Sequence, residues 1–149
     1  MRNTLPYLLL MLILVTSCKK KSLEKEGYTE VPQIELKSLS TQSVHQFKDS
    51  VIIVISYKDL NGDLGEQNPD NNSLYILDSR LAAADYYHIP PITPEDLEFK
   101  TRGSIRIKKP TLFLFGDGGD EKTRLTIKVM DRAGNWSNEV TTEEITIKQ

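Results

Sequence analysis

LTIKVMDRAGNWSN, residues 125–138, is the stretch on which the fold turns. Leu125, Ile127 and Val129 alternate with Thr126, Lys128 and Met130, so an extended chain acquires one apolar and one mixed face, because successive strand side chains point to opposite sides. Asp131 to Asn135 then has turn composition, and Val140 to Ile147 closes the chain as a further strand.

The same period recurs upstream. Ile34 and Leu36 alternate with Glu35 and Lys37, Val51 to Tyr57 is a near-continuous apolar run, Leu74 to Leu77 follows a long loop, and Ile105 and Ile107 alternate with Arg106 and Lys108. A weaker strand is predicted over Tyr86 to Ile89, and Thr111 to Phe115 is predicted to continue the fifth strand after Pro110 interrupts its ladder. Helix is confined to one turn at Pro94 to Leu97. About seven half-apolar strands imply an all-β fold, a single antiparallel β-sandwich over residues 33–149. With one cysteine in 149 residues, no disulfide within the chain supports it, so its stability must come from apolar packing.

The start of the chain has a different character. Arg2 precedes Leu8 to Val15 (LLLMLILV), an apolar run with the length of a signal-peptide core and short of the roughly 20 residues of a spanning helix. It ends in Val15-Thr16-Ser17-Cys18, which resembles the lipobox of bacterial lipoproteins. That resemblance implies a signal peptide over 1–17 and lipidation of Cys18, which also removes the only thiol. Several acyl chains, each worth about 0.8 kcal/mol per buried methylene, hold a protein at a membrane durably. Lys19 after the lipid cysteine is similar to the outer-membrane sorting choice of Gram-negative bacteria. Residues 18–32 (CKKKSLEKEGYTEVP) are charged and aperiodic, and read as a flexible tether. Without residues 1–17, 132 residues remain with 18 basic side chains, the 19 of the whole chain less Arg2, against 21 acidic ones. That balance argues against nucleic acid as a partner.

The terminal segment Leu125-Thr-Ile-Lys-Val-Met-Asp131-Arg-Ala-Gly134-Asn135-Trp-Ser-Asn138 is similar to the last hairpin of bacterial immunoglobulin-like and cadherin-like domains, where a D-x-A-G-N turn joins the final strands. Together with the lipobox and Asp59-Leu-Asn61-Gly62-Asp63-Leu-Gly65, the chain resembles small single-domain Gram-negative lipoproteins. The resemblance implies an immunoglobulin-like sandwich and says nothing about activity.

Asp59, Asn61 and Asp63 stand at positions 1, 3 and 5 of a stretch that ends an apolar strand, with Gly62 and Gly65 letting the backbone curl. The spacing resembles the oxygen-ligand half of calcium loops, in which alternate residues of a tight coil point at one hard cation. Glu66, Gln67 and Asp70 are placed to complete the sphere. The register departs from an EF-hand, whose glycine falls at position 6, and is nearer to D-x-N-G-D loops between strands. Five carboxylates (Asp59, Asp63, Glu66, Asp70, Asp78) and no Lys or Arg lie between Asp59 and Ser79. Two unit charges 4 Å apart repel by about 4 kcal/mol at an effective dielectric of 20, so a loop that gathers them needs a counter-ion. The alternative is an Asn61-Gly62 turn with its acids splayed into water. Sandwich topology puts this loop at the pole of the tether, beside Asp131 and Asn135. Asp131 is therefore either a further ligand or the cap of its own turn, with Gly134 left-handed.

Other segments carry weaker signals. Gly116-Asp117-Gly118-Gly119-Asp120-Glu121 reads as a plain connection at the opposite pole. Tyr86, Tyr87 and His88, followed by Ile89-Pro90-Pro91-Ile92-Thr93-Pro94, form an aromatic, proline-rich patch suited to a protein or glycan partner, and Trp136 has the same potential. Asp49-Ser50-Val51 resembles a bacterial O-glycosylation site. His45 and His88 lie apart and no catalytic signature occurs, so no enzyme activity is expected. The expected function is a lipid-anchored envelope binding or structural module, calcium-stabilised through the acidic loop; the alternative is a carboxylate-dependent envelope hydrolase. Neither nucleic acid nor a small-molecule substrate is expected.

Overall fold

The computed structural model describes residues 26–94 and 97–149. The expected signal peptide, Cys18 and the expected tether up to residue 25 lie outside the described residues, as do Glu95 and Asp96 of the expected helical turn. The described chain is all β. Its ten strands are β1 (Gln33–Leu39), β2 (Ser43–His45), β3 (Ser50–Asp59), β4 (Leu74–Asp78), β5 (Asp85–Tyr87), β6 (Thr101–Pro110), β7 (Glu121–Thr123), β8 (Leu125–Val129), β9 (Val140–Thr141) and β10 (Ile145–Lys148).

One layer of the sandwich is the antiparallel sheet β1-β3-β6. β3 is its centre, and its β-branched run alternates strictly: Val51, Ile53, Ile55 and Tyr57 are buried while Ile52, Val54 and Ser56 are half-buried on the outer face. The second layer comprises β5-β4-β8-β9 and β2-β10-β7. A single residue, Arg124, separates β7 from β8, and the partners run from Glu121 opposite Ile147 to Ile127 opposite Val140. The two groups are thus one hairpin interrupted by an irregularity. Thr142 spans it, donating its N–H to the Leu125 carbonyl and accepting the Leu125 N–H on Oγ1, both at 3.0 Å. β2 adds to this layer parallel to β10. Val51, Ile53 and Ile55 from one layer meet Ile76, Leu125, Ile127 and Ile147 from the other in a single apolar core.

Ten strands replace the expected seven because β2 and β7 carry too few residues to show a period, and because the expected strand Val140 to Ile147 is broken into β9 and β10. Thr111 to Phe115 is not a strand. Thr111 adopts φ 53° and turns the chain out of β6, burying Leu112 and exposing Phe113 and Phe115. The end of the expected tether also differs, since residues 26–32 lie on the body. Tyr28 is only 7 % exposed, its ring faced by the Lys58 and Lys100 ammonium groups, and the Leu60 N–H donates to the Thr29 carbonyl at 3.0 Å. An aromatic ring in a charged stretch finds apolar contact and cations together, and that fixes the segment.

Candidate functional site

Three carboxylates stand at the ends of core-facing series. Asp59 continues Val51-Ile53-Ile55-Tyr57, Asp78 continues Leu74-Ile76, and Asp131 continues Leu125-Ile127-Val129. All three are buried. A buried carboxylate needs hydrogen-bond donors or a cation, and the three obtain them differently.

Asp131 caps its own turn. Its Oδ1 accepts the Asn135 N–H at 2.7 Å and its Oδ2 the Asn135 side-chain amide at 3.0 Å, while Gly134, at φ 85°, donates its N–H to the Asp131 carbonyl at 3.1 Å. Asp78 leaves the acidic loop altogether and sits at the far end of β4. It pairs with Arg80 at 2.7 Å, and Thr123 Oγ1 donates to it at 2.5 Å. Burial opposes its ionisation, but these partners outweigh burial and hold its pKa below the usual carboxylate range.

Asp59 lacks such partners. Its Oδ2 accepts the Asp63 N–H at 2.9 Å, but its Oδ1 is buried with no hydrogen-bond partner, as is Asp63 Oδ1. Thr101, directly opposite Asp59 in the β3–β6 ladder, has an equally orphaned Oγ1. Burial first, and then the neighbouring Asp63 charge, push the Asp59 pKa up to about 6.

The loop beyond Asp59 is fixed rather than splayed. Leu64 plugs the core at 0 % exposure and bridges Asp131, and Arg132 donates its N–H to the Asp63 carbonyl at 3.0 Å. The Glu66 N–H reaches the Ile89 carbonyl at 2.8 Å and the Ile92 N–H the Leu64 carbonyl at 3.1 Å. Gly65, at φ 84°, passes so close to this segment that a Cβ would fall 2.2 Å from the Pro90 carbonyl oxygen, an approach that only glycine permits.

Of the seven residues predicted as ligands, Asp59 and Asp63 come together, while Gln67 is exposed. Asp131 is beside them in the backbone, though both its oxygens are taken. Glu66 accepts from the Asn71 amide at 3.4 Å, Asp70 is exposed with its N–H on Asn68 Oδ1, and Asn61 gives its carbonyl to the Phe99 N–H at 3.2 Å. Among the described residues no three His, Cys, Asp or Glu side chains converge as a metal group. What fits a hard cation is the pair of orphaned carboxylate oxygens, since oxygen ligands without donors are what calcium takes.

The predicted aromatic residues divide by strand alternation. Tyr86 and Trp136 meet on the outer face of the second layer, ring centroids 6.3 Å apart, and both pack edge-on against Tyr75 at 5.6 and 6.2 Å. Lys128 lies 4.4 Å over the Tyr75 ring and 5.7 Å over Trp136. Tyr87 points the other way, its hydroxyl 2.9 Å from Lys109 Nζ. Tyr75 and Lys128 went unread in the sequence. Their signal is the period itself, for each occupies an outward register between buried residues and they face each other across β4 and β8.

The Gly116–Glu121 connection proves structured. Glu121 Oε1 accepts the N–H groups of Phe115 and Gly116, and its Oε2 pairs with Arg80 at 2.6 Å. Phe47 stacks on Phe113 nearby, and Arg80 lies 4.5 Å over Phe115. No protein-family model matches this chain, and neither a curated protein nor a solved structure is found to match it.

Proposed function

We propose that the chain is a non-enzymatic, lipid-anchored binding module of the cell envelope, held at the outer membrane through Cys18, with an immunoglobulin-like domain that takes a protein or glycan on its aromatic face. The observation that carries this reading is the cluster of Tyr75, Tyr86 and Trp136 under Lys128. Tyr86 is 52 % exposed although it is packed in a ring cluster. Large rigid rings with polar tips lose little entropy on contact and dominate binding energetics where they gather. Order of strands and the D-x-A-G-N turn support the immunoglobulin-like assignment, and the lipobox supports the anchor.

Trp136 is the only tryptophan, so its fluorescence reports the site directly. Titration with soluble envelope glycans and with envelope protein extracts is expected to shift its emission, and Tyr86→Ala is expected to weaken that response at least about tenfold. An unchanged spectrum with every fraction, or equal responses of wild type and Tyr86→Ala, removes the face from consideration. Labelled palmitate entering the wild type and not Cys18→Ser checks the anchor.

Calcium at Asp59 and Asp63 is the second reading, and their two buried, donor-free oxygens favour it. The complete burial of Asp59 supports a structural rather than hydrolytic role, because a scissile bond has no route to its carboxyl group.

A further inference from the structure

β6 is an unusually long edge. It runs ten residues at the margin of the sheet β1-β3-β6, whereas typical strands have about five or six and natural edges are kept short. Among the described residues, no backbone hydrogen bond outside the sheet ladders involves residues 101–110. Its outward-facing N–H and C=O groups are therefore open to a further strand.

The two faces of that edge differ. On the outer face Arg102, Arg106 and Lys108 are exposed at alternate positions and have no ion-pair partner among the described residues. Their cross-strand neighbours on β3 are Lys58, Val54 and Ile52, none of them acidic. On the inner face Ile105 and Ile107 border an apolar cleft of about 240 Å³ that β6 shares with Leu74, Ile76 and Ile89 of the other layer. Lys109 closes one end, paired with Asp85 at 2.6 Å.

We propose that the β6 edge binds an extended peptide segment of a partner protein, one with alternating aliphatic and acidic side chains, as an added strand. Same-face pairing puts the aliphatic residues over the cleft and the acidic ones beside Arg106 and Lys108, each opposite-charge pair stabilising the register. The charges also select the occupant. A second copy of this chain pairing antiparallel through β6 would set Arg102 against Lys108, cation against cation, which is destabilising. The site is independent of the aromatic face, which lies on the other layer.

The test is fluorescence anisotropy of the full-length chain with a labelled, terminally blocked octapeptide of alternating valine and glutamate. It is expected to bind, and to bind about tenfold more weakly when salt is raised past a Debye length of about 8 Å, whereas the valine–lysine counterpart does not bind. Methylating alternate amides along one edge of the peptide abolishes binding and along the other edge spares it, since only one edge faces β6. Arg106→Glu with Lys108→Glu reverses the preference to the lysine peptide. The proposal is overturned by no binding at about 1 mM peptide, by equal effects of the two methylation patterns, or by equal binding of the glutamate and lysine peptides. Concentration-dependent dimerisation of the wild-type chain also overturns it, because a second copy would then occupy the edge.

Discussion

Asp59 occupies an inward register of β3, directly after Tyr57, where a strand of this composition would ordinarily place another apolar side chain. The folded chain accommodates it by favouring the neutral acid. With a pKa of about 6 against 3.8 for an unperturbed aspartate, the folded state holds more protons than the unfolded state between those values. Stability is therefore fully present below about pH 4, falls as pH rises through about 6, and is level above it. Thermal melts at low calcium are expected to show that decline, and Asp59→Asn, which stays neutral, is expected to flatten it. Calcium acts with the opposite sign, since it selects the ionised pair. At pH 7 millimolar calcium is expected to raise the melting temperature of the wild type, by about 2.7 kcal/mol of stability when it reaches 100 times its dissociation constant, and to do little at pH 5. Asp59→Asn and Asp63→Ala should both lose that response. A wild type indifferent to calcium above pH 6 would remove the metal while leaving the proton-linked decline standing.

Strands with a long alternating run were legible in the sequence, the short β5 only as a weaker signal displaced by a residue or two, and β2 and β7 not at all. Val51 to Tyr57, Leu74 to Leu77, Ile105 to Lys108 and Leu125 to Val129 each declare an inner face by period two, and each is a strand. β2 and β7 have three residues apiece, and their pairing is decided by β10 between them rather than by their own pattern. Thr111 to Phe115 misled for a different reason: Leu112 to Phe115 is a continuous apolar run that reads as the end of a strand, but a left-handed residue at Thr111 rotates the segment away from the ladder, and no propensity marks a threonine for that conformation. At the acidic loop, composition overstated the site. Five carboxylates close in sequence become two close in space, because β4 carries Asp78 to the far pole and the bonds of Glu66 and Asp70 turn them elsewhere. The same register argument, extended past the last apolar residue of each strand, would have picked out Asp59, Asp78 and Asp131 as the buried ones.

At the scale of the molecule, the two poles have opposite chemistry and the chain enters at one of them. Gln33 pairs with Lys58, one residue from Asp59, while Phe47, Phe113 and Phe115 crowd the other end with Arg80 and Glu121. If lipid on Cys18 holds the protein to a bilayer, the segment that transmits the pull is residues 26–32, and its last contacts are with Lys58 and Leu60 at the mouth of the acidic loop. A chain beginning at Gln33 loses the Tyr28 ring and its two facing cations, and burying a side chain of that size stabilises by about 1.5–3 kcal/mol. Its melting temperature is expected to fall well below that of a chain beginning at Glu26, and Tyr28→Ala in the longer chain should reproduce most of the fall. Amide exchange discriminates further: protection at Leu60, whose N–H bonds to Thr29, should be lost on truncation while β8 stays protected. Equal melting of the two chains would mean that residues 26–32 add nothing to the stability of the body.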